Sequence, residues 1–194
     1  MMRIREKEFE TGNMEFSILA PAGPVLLSPK VHGDERGFFM ETFRQNEFEA
    51  CCGPYVFVQD NHSKSRHGVL RGMHYQLSRP QGKLVRVIQG RVYDAAVDLR
   101  LSSPTFGKSF CVVLDDENRR IFWIPPGFAH GFLVLSGEAE FVYKCTNYYV
   151  PEDEYCLRYD DPAAAIGWPL PEAELRISTK DRQGLSFDNC PKFA

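Results

Sequence analysis

Apolar residues in this chain come in short runs, and each run is closed by glycine, proline, asparagine, aspartate or serine. The runs "PVLLS", "GFFMETF", "YVFVQD", "KLVRVIQ", "RVYDAAVDL", "FCVVL", "RIFWIP", "HGFLVL" and "AEFVYKCTNYY" follow one another, with turns such as "SSPTFG" and "DDENRR" between them. Many short strands at close spacing build a β-sandwich or barrel. Only "RQNEFEACC" and the stretch around "PEAEL" read as helical, and both are short. The pattern predicts an all-β barrel with a few short peripheral helices.

The 194 residues suit one domain, spanning 1–194, with a single sizeable core. Hydrophobic residues make up 43% and aromatics 13%, as expected of a globular chain rather than a disordered one. A net charge of −3 gives no reason to expect nucleic acid or a membrane surface as partner. No apolar run approaches the ~18 residues that a membrane-spanning helix needs. The start "MMRIREKEFE" has no signal-peptide core, so the expected location is cytoplasmic. Residues 1–12 are charged and read either as an N-terminal extension or as a strand exchanged with a partner's sheet edge. Cysteines stand at 51, 52, 111, 145, 156 and 190, without a CxxC pair or a Cys/His metal spacing. They read as reduced, small core residues.

One strand breaks the pattern. "VLRGMHYQ", residues 69–76, places Arg71 and His74 beside a glycine that packs nothing. Beyond Gly72, His74 and Gln76 share one face and Met73 and Tyr75 the other. Glycine within a strand marks a bulge or a close approach of another backbone or a ligand. A bulge at Gly72 would turn Arg71 toward the face of His74. A lone strand histidine is ordinarily a satisfied structural residue, so its meaning depends on its neighbours.

Those neighbours carry chemistry. In "KLVRVIQ", Lys83 shares a face with Val85 and Val87. A lysine opening a strand is commonly just solvated; beside a histidine it is a candidate to stabilise an oxyanion. In "EFVYKCTNYY", Tyr143 shares a face with Phe141 and Cys145. It either fills the barrel or donates a proton. In "STKD", Asp181 is either a surface turn residue or a carboxylate that folds back to hold a histidine's tautomer. Arg36, Arg71, Arg79, Lys83 and Arg86 form either a solvated rim or a phosphate-recognition patch.

In "IPPGFAHGF", two prolines and a glycine fix a turn that presents His130 at the start of the next strand. The spacing Pro125-x-Gly127-x-x-His130 resembles the second half of the cupin signature. The first half would supply an HxH pair, but here it reads His74-x-Gln76. Two histidines without the third ligand and the carboxylate make a poor metal site. No resident metal is expected.

Seven ordered blocks then resemble one family. "GDERGFFMETF", "FVQDNHSKS", "VLRGMHYQ", "QGKLVRVIQGRVYDAAVDLR", "SPTFGK", "IPPGFAHGF" and "FVYKCTNYY" are similar to the dTDP-4-dehydrorhamnose 3,5-epimerases, from about residue 24 to residue 185. The resemblance implies a homodimeric, metal-free cupin-type jelly roll without a cofactor, acting on a nucleotide-diphospho-sugar. It implies His74 as base, Asp181 as its dyad partner, Lys83 as the enolate-stabilising cation and Tyr143 as the acid on the opposite face of the sugar. Arg36 and Arg71 would grip the diphosphate. Phe38, Glu41, Gln59 and Asn61 would line the nucleotide site, some of them reaching the partner subunit's ligand, and His130 would border the sugar.

Departures are mild: "RYDDP" stands for a Trp-Asn-Asp run, and "RGMHYQ" for "RGLHFQ". Relatives include enzymes that invert one carbon, ketoisomerases on a similar barrel and enzymes that take GDP-sugars. A nucleotide-sugar-binding module without chemistry is the non-enzymatic alternative. A base facing an acid argues against it, because binding alone needs neither.

Overall fold

The computed structural model describes residues 7–194. Its first strands are β1 (Lys7–Glu10), β2 (Met14–Ile18), β3 (Val25–Pro29), β4 (Val31–Asp34) and β5 (Gly37–Met40), followed by helix α1 (Gln45–Cys52). Next come β6 (Gln59–Arg66), β7 (Val69–Gln76), β8 (Lys83–Gln89), β9 (Arg91–Asp98) and β10 (Ser109–Asp115). The chain continues through β11 (Ile121–Ile124), β12 (Phe128–Val134), β13 (Glu138–Cys145), β14 (Glu154–Cys156), β15 (Arg176–Ile177) and helix α2 (Thr179–Arg182).

Two sheets make a jelly roll. The larger has seven strands in the order β1-β2-β3-β11-β8-β13-β6, and the smaller orders its strands β10-β9-β12-β7-β14 with β15 alongside β7. Alternation along the strands splits the core into layers. Val85, Val87, Phe122, Phe141, Ala96, Phe128 and Phe132 pack together in the interior. Behind the larger sheet, Leu84, Ile121 and Trp123 pack with Phe48 of α1, whose ring meets the indole edge-on at 5.0 Å. Behind the smaller sheet, Met73, Tyr75, Ala95 and Val97 are covered by the C-terminal segment, including Cys190. One end of the interior is not filled with apolar side chains, and the cavity described below lies there.

Several local expectations needed correction. "YVFVQD" is not a strand: Val56 and Val58 are exposed, and the strand is the polar run Gln59–Arg66. That edge strand turns alternate charged residues to solvent while Gln59, Asn61, Ser63 and Ser65 turn inward. The stretch around "PEAEL" forms only a 3₁₀ turn, Glu172–Glu174. "STKD" is a helical turn, with the Ser178 side chain accepting from the Asp181 N–H. Of the expected N-terminal extension, residues 1–6 lie outside the described residues, and Lys7–Glu10 pairs with β2 of its own sheet. Among the described residues, no helix is long and apolar enough to cross a membrane.

Candidate active site

The strand that broke the pattern holds the centre of the site. Strands β7 and β12 pair antiparallel, with His130 opposite His74 but Phe132 opposite Arg71. Thus β7 carries one residue more than β12 over this stretch, which is a bulge. Gly72 occupies it at φ +124°, a conformation that favours glycine. A Cβ there would lie 2.6 Å from Gly131 Cα and 2.8 Å from the His130 carbonyl oxygen. Leu70 and Met73 belong to outer apolar layers, while Arg71 and His74 both line the interior cavity.

That cavity encloses about 440 Å³ and is lined by Arg71, His74, Lys83, His130, Tyr143 and Asp181, among others. Asp181 is not a surface residue; it is 4% exposed. His74 Nε2 donates to its Oδ1 at 2.6 Å. Burial alone would raise the Asp181 carboxyl, but bonds from His74, Ser178 and the Gly72 backbone hold it below the ordinary carboxylate range. The carboxylate therefore fixes the ring proton on Nε2 and leaves Nδ1 as the nitrogen with a free lone pair.

Lys83 reaches the same space from the larger sheet. Burial pulls its ammonium below the ordinary value, opposed by the negative character of Cys145, Glu154 and Asp94. Burial raises the Tyr143 phenol, so its hydroxyl keeps its proton at neutral pH. The Arg71 guanidinium is anchored through Nε to Ser65 Oγ at 3.1 Å. Gln59 and Asn61 line an adjoining cavity of about 260 Å³ together with His74, Lys83 and Tyr143.

His130 lies inside the cavity with a partner the sequence analysis overlooked. Its Nε2 donates to both Asp94 oxygens, at 3.0 and 3.1 Å, and the carboxylate is fully buried. Burial raises Asp94 and lowers His130, so the imidazole stays neutral. The signal was available: "RVYDAAVDL" carries Asp94 at an inward position between the core residues Val92 and Ala96.

Other expected residues are not brought into this cavity. Arg36 and Phe38 lie on the β4–β5 hairpin, in a separate exposed hollow. Glu41 accepts from Arg44 at 2.8 and 2.6 Å. Arg86 points to the opposite face of β8 from Lys83, and Arg79 lies in an exposed loop, so the basic patch expected from sequence is divided. A cupin-type metal does not fit these residues. Gln76 replaces an imidazole and donates to the Arg79 and Tyr148 carbonyls at 2.8 and 3.1 Å, and His130 is committed to Asp94.

Several known proteins of similar sequence and fold are described as 3,5-epimerases. The sequence profile of the family described as dTDP-4-dehydrorhamnose 3,5-epimerase matches residues 19–189. The Pseudomonas aeruginosa dTDP-4-dehydrorhamnose 3,5-epimerase is 53% identical over 181 residues, which is 93% of this chain and 99% of that protein. The Legionella pneumophila dTDP-6-deoxy-D-glucose-3,5-epimerase, solved in complex with dTDP-4-keto-L-rhamnose, is 52% identical with a TM-score of 0.83, covering 87% of this chain and 89% of its own. The Sulfolobus tokodaii dTDP-4-dehydrorhamnose 3,5-epimerase is 43% identical with a TM-score of 0.86, over 94% and 99% of the two chains.

Proposed function

The chain belongs to the dTDP-4-dehydrorhamnose 3,5-epimerase family, an isomerase that inverts carbons 3 and 5 of a dTDP-4-keto-6-deoxyhexose, and we propose that His74 is the base of this reaction. The observation that carries the assignment is the 2.6 Å bond from His74 to a buried carboxylate, in a cavity that also holds a lysine and a protonated tyrosine.

The substrate supplies the logic. Its ketone at carbon 4 acidifies the hydrogens on carbons 3 and 5, because each deprotonation gives an enolate delocalised onto oxygen. Nδ1 of His74 takes a proton from one face, and Asp181 stabilises the imidazolium that forms. The Lys83 ammonium offsets the charge developing on the enolate oxygen, a contribution of the kind typically worth ~10²–10³ in rate. Tyr143, or water, returns a proton to the opposite face, which inverts the carbon. The substrate ketone is the electron sink throughout. Arg71 binds the diphosphate through its guanidinium, and Gln59, Asn61 and His130 border the bound ligand.

Three further assignments are ours. The protein acts as a homodimer, in which Arg36, Phe38 and Glu41 complete the nucleotide site of the partner subunit. None of the three lines the cavity of its own chain, which supports this, as does the exposure of Phe38 (57%) and Phe39 (71%) on the β4–β5 hairpin. The compartment is the cytoplasm, since all six cysteines are free thiols suited to reducing conditions. Residues 1–194 act as one domain.

Incubation with dTDP-4-keto-6-deoxyglucose in heavy water tests the chemistry. Deuterium is expected at both carbons 3 and 5 by NMR, and His74→Ala should stop both exchanges. Normal exchange in His74→Ala would remove His74 as the base.

A further inference from the structure

We propose that His74, Cys156 and Asp181 form an inhibitory zinc site, which takes both members of the acid–base dyad out of action. One donor atom from each residue lies within 4.8 Å of the others. Cys156 is placed there by pairing: on β14 it stands directly opposite His74 on β7. The ligand types suit zinc, which binds imidazole, thiolate and carboxylate together, whereas magnesium and calcium prefer all-oxygen sites. Zinc–ligand bonds of about 2.0–2.3 Å put neighbouring donors on the order of 3.5 Å apart. The His74–Asp181 contact of 2.6 Å must therefore open slightly to admit the ion, and the half-buried thiol closes the third corner. The fourth position faces the cavity and is left to water, as in zinc sites with three protein ligands.

Charge also balances. A Cys156 thiolate and the Asp181 carboxylate together match Zn²⁺. Burial and the neighbouring Asp181 and Glu154 push the Cys156 thiol up to about 12, so binding releases its proton to the buffer. The imidazole then coordinates through one nitrogen and keeps its single proton on the other, so no basic lone pair remains. This donor set is distinct from the cupin one: it recruits neither His130 nor Gln76. Its occupant would be a regulator or poison of a metal-independent reaction, not a cofactor.

Metal binding depends only on the three donors, whereas inhibition also rests on His74 being the base, so the two are read separately. Binding is followed with Co²⁺ as the probe, through its near-ultraviolet thiolate-to-cobalt absorption. Inhibition is followed as turnover against buffered free Zn²⁺, reversed with EDTA. Cys156→Ala, with Cys156→Ser as the near-isosteric alternative, should keep basal turnover, lose the cobalt band and need about 100-fold more zinc for half-inhibition, at or above the loss usual for metal-site partners. Cys51→Ser should change neither readout. A cobalt band absent from the wild type, or equally strong in the Cys156 variants, would overturn the site. A band that depends on Cys156 without loss of turnover in zinc would uphold the site and refute His74 as the base.

Discussion

At the residue scale the dyad makes the sharpest demands. Asp181→Asn replaces the carboxylate with a near-isosteric amide that neither fixes the His74 tautomer nor stabilises its cation. Turnover should fall by about 10³–10⁴, as when a dyad carboxylate is lost elsewhere, with substrate affinity nearly unchanged. Combining it with His74→Ala should cost little more than His74→Ala alone, since both disable one base. Arg71→Ala should behave oppositely, raising KM with little change in kcat, because a diphosphate contact persists from ground state to transition state. Steady-state kinetics and ligand titration of the four variants separate these patterns. Near-normal turnover in Asp181→Asn would mean that the carboxylate only anchors the helical turn it sits in.

At the element scale, two devices hold the strands that carry the site. The bulge in β7 needs Gly72, since any Cβ there meets the Gly131 and His130 backbone. Gly72→Ala should destabilise the fold by about 3 kcal/mol and depress kcat, because Arg71 and His74 lose their common face. Denaturant unfolding beside kinetics checks both effects. The second device closes β9, the strand that carries Asp94. Fully buried Asp98 accepts from Arg100 Nε and Nη2, Ser103 and Thr105 at 2.6–2.9 Å.

Burial would raise the Asp98 carboxyl, but those donors hold it below its ordinary value of 3.8. A depressed folded value means that its stabilisation is complete above the unfolded value and is lost as pH falls through the folded one. Asp98→Ala should therefore cost about 3 kcal/mol at pH 7. That gap from the wild type should stay constant down to the ordinary carboxylate range and narrow only below it. Urea unfolding at pH 7, 5 and 3 measures the gap; a gap that narrowed between pH 7 and 5 would contradict the depressed value.

At the scale of the whole molecule, the exposed β4–β5 hairpin decides whether one chain suffices. Phe38 and Phe39 remain exposed on it, although Arg119 stacks on Phe38 at 4.2 Å. The proposed dimer should give a solution mass of twice 22.2 kDa by light scattering. Phe39→Glu should shift that mass toward the monomer and weaken dTDP binding while leaving the His74–Asp181 pair in place. A monomeric wild type with full activity would assign the hairpin to some other contact.

The sequence by itself determined the fold class, because period-two alternation and turn residues are local properties that each segment carries alone. It also determined which faces Lys83, Tyr143 and His74 share with their strand neighbours, since parity is fixed once a run is read as a strand. It misread "YVFVQD" and passed over the polar strand "QDNHSKSR", where exposure and a polar cavity, rather than an apolar core, set the pattern. Asp94 could be read as an inward charge, but its partner, like the place of Cys156, was decided only by folding. Each depends on which residue stands across from it on a strand distant in sequence, Ala96 of β9 opposite His130 and Cys156 opposite His74. The fate of Asp181 was likewise undecided until a chain 107 residues beyond His74 returned to bury it. Pairing between remote segments comes from packing the sheets as a whole, and no local periodicity encodes it.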